Sequence, residues 1–195
     1  MNKWDWNPWS IRPLMQHWRE HVNWQQESKE VIQSIREKLP EKLKGNISLR
    51  LFGLFKVPML GFLKPIVEEM TEEKCVVKIP LRRQSRNHLN SMYFGALAAG
   101  ADCAGGLTAM RYIEESGKKV DLVFKDFQAK FLKRAEGDTY FTNIQGKKIR
   151  ELVEKCIQTG EREEMPMEIV ATTPDKLGQE PVATFILTLS LKCRD

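Results

Sequence analysis

RNHLNSMYFGALAAGADCAGG, residues Arg86 to Gly106, crowds glycine and alanine together and sets one carboxylate, Asp102, among them. Asn90 or Ser91 is the expected cap of a helix here, because either side chain can accept from the first free N–H groups. Gly95, Gly100, Gly105 and Gly106 then fall inside it. Each interior glycine costs about 1 kcal/mol relative to alanine. Four of them make sense where a sheet curls tightly round the helix and backbones approach closely. Met92–Met110 is nearly long enough to cross a membrane. A central Asp would cost about 3 kcal/mol there, so the spanning reading is disfavoured. Asp102 keeps two readings of equal weight. It is a carboxylate bonded to a neighbouring strand or facing a dimer mate, or it lines a ligand cleft with its pKa raised by desolvation.

Strand patterns flank this helix. Before it stand KPIVEEM (64–70) and KCVVKIPL (74–81), joined by TEEK. After it, residues 118–135 read as one long strand. Val120, Leu122 and Phe124 share one parity, and Phe127, Ala129 and Phe131 take the other, which predicts a β-bulge near Lys125–Asp126. A turn at EGD leads to TYFTNI. A helix is expected at about Lys147–Thr159, with Ile149, Leu152, Val153 and Cys156 on one face and Gly160 beyond its end. MEIVATT and PVATFILTLSLK close the chain as a hairpin, with Ala183, Phe185, Leu187, Leu189 and Leu191 on one face. Helices followed by mostly hairpin-linked strands imply an α+β domain with an antiparallel sheet.

Residues 1–46 read as a Trp-rich helical extension and 47–195 as the main domain. Ser10 and Pro13 suit a helix start, and Val31, Ile32, Ile35 and Leu39 share a face of a second helix. All five tryptophans lie in the first 24 residues. Packing on the main domain is favoured over an interfacial membrane anchor, because Asp5, Glu20 and Glu27 suit anionic lipid poorly. ISLRLFGLFKVPMLGFL (47–63) is interrupted by Arg50 and Lys56 and is expected to be a buried entry segment or the lining of an apolar pocket.

The chain has 195 residues, room for one core with an extension, and a formal net charge of +5. That charge suits an anionic ligand, a nucleic acid or an acidic membrane and selects none. No reader helix or stacking motif supports nucleic acid. Cys75, Cys103, Cys156 and Cys193 lack metal-ligand spacing and are expected as reduced thiols of a cytoplasmic protein, with no export signal ahead of them.

Three segments together resemble the hotdog-fold thioesterases: the loop and turn at Asn87–Gly95, ADCAGG (101–106) and FLKRAEGD (131–138). The resemblance is to the small acyl-CoA thioesterases of the phenylacetate-pathway type. It is closer still to an uncharacterised thioesterase-like hotdog family in which NH-x-NSM-x-FGAL-x-x-GA recurs. It covers about Leu51 to Lys192. It implies a curved antiparallel sheet wrapped round the Ala/Gly helix, and a homodimer or a dimer of dimers. It implies hydrolysis of an acyl- or aryl-CoA thioester, with coenzyme A present only as part of the substrate and no metal.

The resemblance also implies roles. Asp102 would be general base or nucleophile, and Asn87 would orient water or carbonyl. Gly95 N–H, with Phe94 N–H, would hold the oxyanion at the helix N-terminus. His88 is a further titratable candidate, weighed equally against a cap. Tyr93 and Phe94 stand where the better-known enzymes have His and Gly. Arg82, Arg83, Arg86, Lys133 and Arg134 are candidates for the CoA phosphates, against the alternative of a solvated surface. A non-catalytic acyl-CoA or lipid-binding protein is the runner-up, and a dehydratase or a dimer scaffold ranks below it.

Overall fold

The structure is a computed structural model that describes residues 39–194. The helices expected within residues 1–38, and their tryptophans, lie outside the described residues. From Pro40 onward the chain is one compact unit.

Helices α1 (Glu41–Phe55) and α2 (Pro58–Leu63) lead into strands β1 (Ile66–Met70) and β2 (Cys75–Ile79). Helix α3 (Phe94–Ser116) follows, then β3 (Val120–Phe131), β4 (Thr139–Asn143) and α4 (Gly146–Thr159). Strand β5 (Arg162–Thr172), the single turn α5 (Pro174–Leu177) and β6 (Pro181–Cys193) complete the order. The six strands form one antiparallel sheet, β1-β2-β4-β5-β6-β3. Helix α3 touches every strand except β1 to a substantial extent, so the sheet curves round it.

Gly100 and Gly105 have the role expected of the α3 glycines, whereas a Cβ on Gly106 would make only ordinary contact with Phe124 and one on Gly95 would meet the neighbouring Tyr93 ring. A Cβ on Gly100 would lie 2.2 Å from the Phe141 ring, and one on Gly105 would lie 2.5 Å from the Met167 methyl. Phe141 and Met167 are fully buried. Their side chains occupy the space that a larger helix residue would need. The face of β6 read from sequence, Ala183 to Leu191, is fully buried too. The bulge falls where the parity changes. Phe124 pairs with Leu189 and Phe127 with Leu187, so β3 carries one extra residue at Lys125–Asp126.

The two sheet edges differ. At the β1 edge, Asn46 of α1 donates through Nδ2 to the Val67 carbonyl and accepts from Val67 N–H through Oδ1, both at 2.9 Å. One amide side chain thus satisfies a strand that would otherwise expose pairing groups. At the other edge, β3 exposes Val123, Phe127 and Phe131.

The segment 47–63 departs from expectation. It is helical, and α1 runs straight across the Asn46–Ile47 boundary. Only Leu49, Gly53, Leu60 and Leu63 of this segment are buried. Leu54 is 68% exposed and Phe62 59%, so neither lines an interior pocket. The helices meet at two glycines, and a Cβ on Gly53 would lie 2.7 Å from the Gly61 nitrogen.

Candidate active site

The N-terminus of α3 is set by a loop that the structure ties down from both sides. Tyr93 N–H donates to the Ser85 carbonyl at 2.8 Å, and Met92 N–H to the Ala135 carbonyl at 2.8 Å. Ser85, fully buried, donates through Oγ to the Pro80 carbonyl at 2.6 Å and accepts from Arg82 N–H. Asp138 accepts from Leu81 N–H at 2.8 Å. The loops 80–93 and 132–138 therefore form one corner.

Neither expected cap serves α3. Asn90 sits in the left-handed region, φ 59°, and Ser91 is engaged with Asn87. Tyr93 occupies the N-cap position in extended conformation and makes no side-chain cap. The long-range bonds to Ser85 and Ala135 fix the helix start instead.

Asn87 organises the loop. Its Oδ1 accepts from Leu89 N–H at 2.9 Å and Ser91 N–H at 3.2 Å, and its Nδ2 donates to Ser91 Oγ at 3.0 Å. Its amide is spent locally, which makes it a positioning residue. His88 is exposed and caps nothing. Ser85 has no role in the sequence reading, Ser91 enters it only as a helix cap, and Asp138 only as the end of FLKRAEGD. Only the serines flanking Asn87 hinted at a side-chain-built loop.

At the corner, Phe94 N–H and Gly95 N–H have no acceptor among the described residues. They point along the positive end of a 23-residue helix. The Tyr93 ring folds back against Gly95, and a Cβ there would lie 2.6 Å from the ring. Tyr93 and Phe94 are exposed, with ring centroids 4.7 Å apart.

Gly95, Ala98 and Asp102 share a helix face and are all partly exposed, whereas most of α3 is buried. Asp102 makes no hydrogen bond or ion pair among the described residues. Desolvation pushes its carboxyl up to about 6. This is a half-buried, unpaired acid that titrates near neutral pH, which is the state a general base needs.

The thiols offer no competing nucleophile. All four cysteines are free and buried. Burial pushes Cys75 up to about 12 and Cys103 well above the ordinary thiol range.

Arg82, Arg83, Arg86, Lys133 and Arg134 are exposed on the two loops of the corner. The corner therefore does gather them near the helix N-terminus. Lys133 is paired with Glu180. The four arginines have no acidic partner among the described residues.

Residues 45–188 match the family described as "Domain of unknown function (DUF4442)". The chain belongs to that family. Solved structures with the same fold include a probable thioesterase of unknown function from Pseudomonas aeruginosa, 22% identical. That match covers 80% of this chain and 97% of the other, with a TM-score of 0.62. A protein of unknown function from Chlorobaculum tepidum is 12% identical over 78% of this chain and 97% of its own, with a TM-score of 0.68. A thioesterase from Haemophilus influenzae is 17% identical over 73% and 88%, with a TM-score of 0.55. No curated protein matches. The fold is the hotdog fold of the thioesterase-like families, with the sheet and central helix in the expected arrangement.

Proposed function

We propose that this chain hydrolyses the thioester of an acyl- or aryl-CoA. The observation that carries the reading is Asp102, an unpaired carboxylate held near neutral titration on the open face of α3. A carboxylate in that state accepts a proton from water, and the water oxygen attacks the thioester carbonyl carbon. The oxyanion that forms is held by Gly95 N–H and Phe94 N–H; its collapse breaks the C–S bond, and the departing CoA thiolate takes the proton from Asp102, which returns to the carboxylate. The arginines of the corner receive the CoA phosphates.

Helix geometry adds a condition. Gly95 and Asp102 are seven residues apart, which is about 10 Å along the axis. A carbonyl seated at Gly95 is therefore out of reach of Asp102 on the same helix. The proposed site is completed by Asp102 of the partner subunit in a homodimer, and the open β3 edge is the surface suited to pairing.

The test is a panel of CoA esters with wild type and Asp102→Asn. Turnover by wild type, and a fall in kcat/KM of at least about 100-fold in the variant, are expected. An inert wild type or an equally active variant overturns the mechanism. Subunit sharing has its own test. Asp102→Asn and Gly95→Val, each inactive alone, are mixed and reassembled. One intact site per heterodimer restores about a quarter of wild-type activity. No recovery from verified heterodimers refutes the shared site.

A second reading, binding without turnover, is favoured by the Tyr93 ring lying against Gly95 where a carbonyl would approach. Recovery of the protein with intact acyl-CoA bound and no hydrolysis would select it.

A further inference from the structure

Helices α1 and α2 carry an apolar outer face that the other described residues do not cover. Ile47, Leu51, Leu54 and Phe55 recur at helical spacing on α1, and Met59 and Phe62 continue the surface on α2. Phe55, 71% exposed, is the most exposed aromatic among the described residues. This face is anchored to the core from behind. Leu49, Leu60 and Leu63 anchor the two helices in the core, and Gly53 and Gly61 let them touch backbone to backbone.

The charge pattern on the same segment is one-sided. Ile47 to Lys64 contains no Asp or Glu, while Arg50, Lys56 and Lys64 are all exposed. None of the three has an acidic partner among the described residues. The one acid on these helices, Glu41, is already paired with Lys44 at 2.7 Å. Exposed Leu and Phe rimmed by unpaired cations on a helical surface is the pattern that seats in the headgroup boundary of an anionic bilayer.

We propose that the α1–α2 hairpin docks this protein on anionic lipid membranes, with Leu54, Phe55, Met59 and Phe62 entering the interface and Arg50, Lys56 and Lys64 meeting the headgroups. The charge pattern is what favours lipid over a protein partner. A protein surface would need to supply carboxylates opposite three separate cations, whereas an anionic bilayer presents them everywhere. The inference stands apart from the hydrolytic reading, because none of these residues belongs to the corner at Asn87–Gly95.

The test uses the full chain and flotation with vesicles of phosphatidylcholine alone or with about 30 mol% phosphatidylglycerol. Binding at least about tenfold stronger to the anionic vesicles is expected, weakening with salt. The double variant Leu54→Glu/Phe55→Glu should lose at least about tenfold of that binding, and Arg50→Gln/Lys56→Gln/Lys64→Gln should lose the preference for anionic lipid. All five positions are exposed, and an unchanged thermal melt verifies the fold of each variant. Failure of wild type to bind anionic vesicles, or equal binding by the variants, overturns the proposal. Two further results would also overturn it by assigning another occupant. One is a change in oligomer mass in the Leu54→Glu/Phe55→Glu variant, which would place a second copy on this face. The other is protection of Leu54→Cys from maleimide in the absence of vesicles at unchanged mass, which would place residues 1–38 there. The native thiols are buried, so the introduced one reports selectively.

Discussion

Helix α3 has two faces, and they obey different rules. On the wrapped face, Gly100 and Gly105 lie against Phe141 and Met167 with no room for a Cβ. On the open face, Gly95, Ala98 and Asp102 remain partly exposed, and Asp102 lacks a bonding partner among the described residues. Glycine serves packing on one face and leaves the backbone N–H reachable on the other. Small residues on a helix therefore do not specify one purpose, and what lies opposite each of them decides it.

The sharpest way to break this contrast is to add the same bulk to both faces. Gly100→Val forces side-chain atoms into the Phe141 ring and should cost at least about 3 kcal/mol, after allowing for the better helix propensity. Ala98→Val, on the open face, should change stability by less than about 1 kcal/mol. Denaturant unfolding measures both, and equal effects would mean that the sheet does not wrap α3 as described.

Next in size is the charge on the open face. The Asp102 carboxyl binds its proton more tightly folded, at about 6, than unfolded, near 3.8. Wild-type stability should therefore fall as pH rises from about 4 to above 6. Asp102→Asn removes that loss. It should be more stable than wild type by about 1–3 kcal/mol at pH 7.5, discounted for partial solvent access, and by nothing at pH 3.5. Melting curves across pH read the difference, and a gain that persists in acid would point to packing instead of ionisation.

The smallest effect concerns how the two faces are joined at the corner. Asn87→Ala removes three local hydrogen bonds and should cost about 1–2 kcal/mol. If Asn87 positions the loop, kcat should fall while the pH profile keeps its shape. A shifted apparent pKa would instead give Asn87 direct contact with the reacting groups.

The wrapped face was legible in the sequence because its causes are local and periodic. Glycine density forecast the close approach, alternation forecast β6, and the parity change forecast the bulge in β3. The start of α3 was not legible. Asn90 and Ser91 are good cap residues, but bonds to Ser85 and Ala135, the latter over forty residues away in the chain, place the helix start at Tyr93. The segment 47–63 differs from its expected burial for a related reason. Its composition says apolar, yet whether an apolar helix side is inside or outside depends on which other elements reach it. Asp102 was legible as a candidate, and its isolation from every partner among the described residues was not.

The placement of β6 has a consequence for how the chain reaches this state. Among the described residues β6 alone links β3 to the rest of the sheet, and the paired Val120 and Cys193 stand 73 positions apart. Helix α3 and β3 are both synthesised before β6. Until β6 arrives, β3 has no neighbour to pair with, and the glycine-rich helix cannot be enclosed. Closure is thus a late, long-range step, and the nascent chain carries β3 unpaired while residues 132–180 are made.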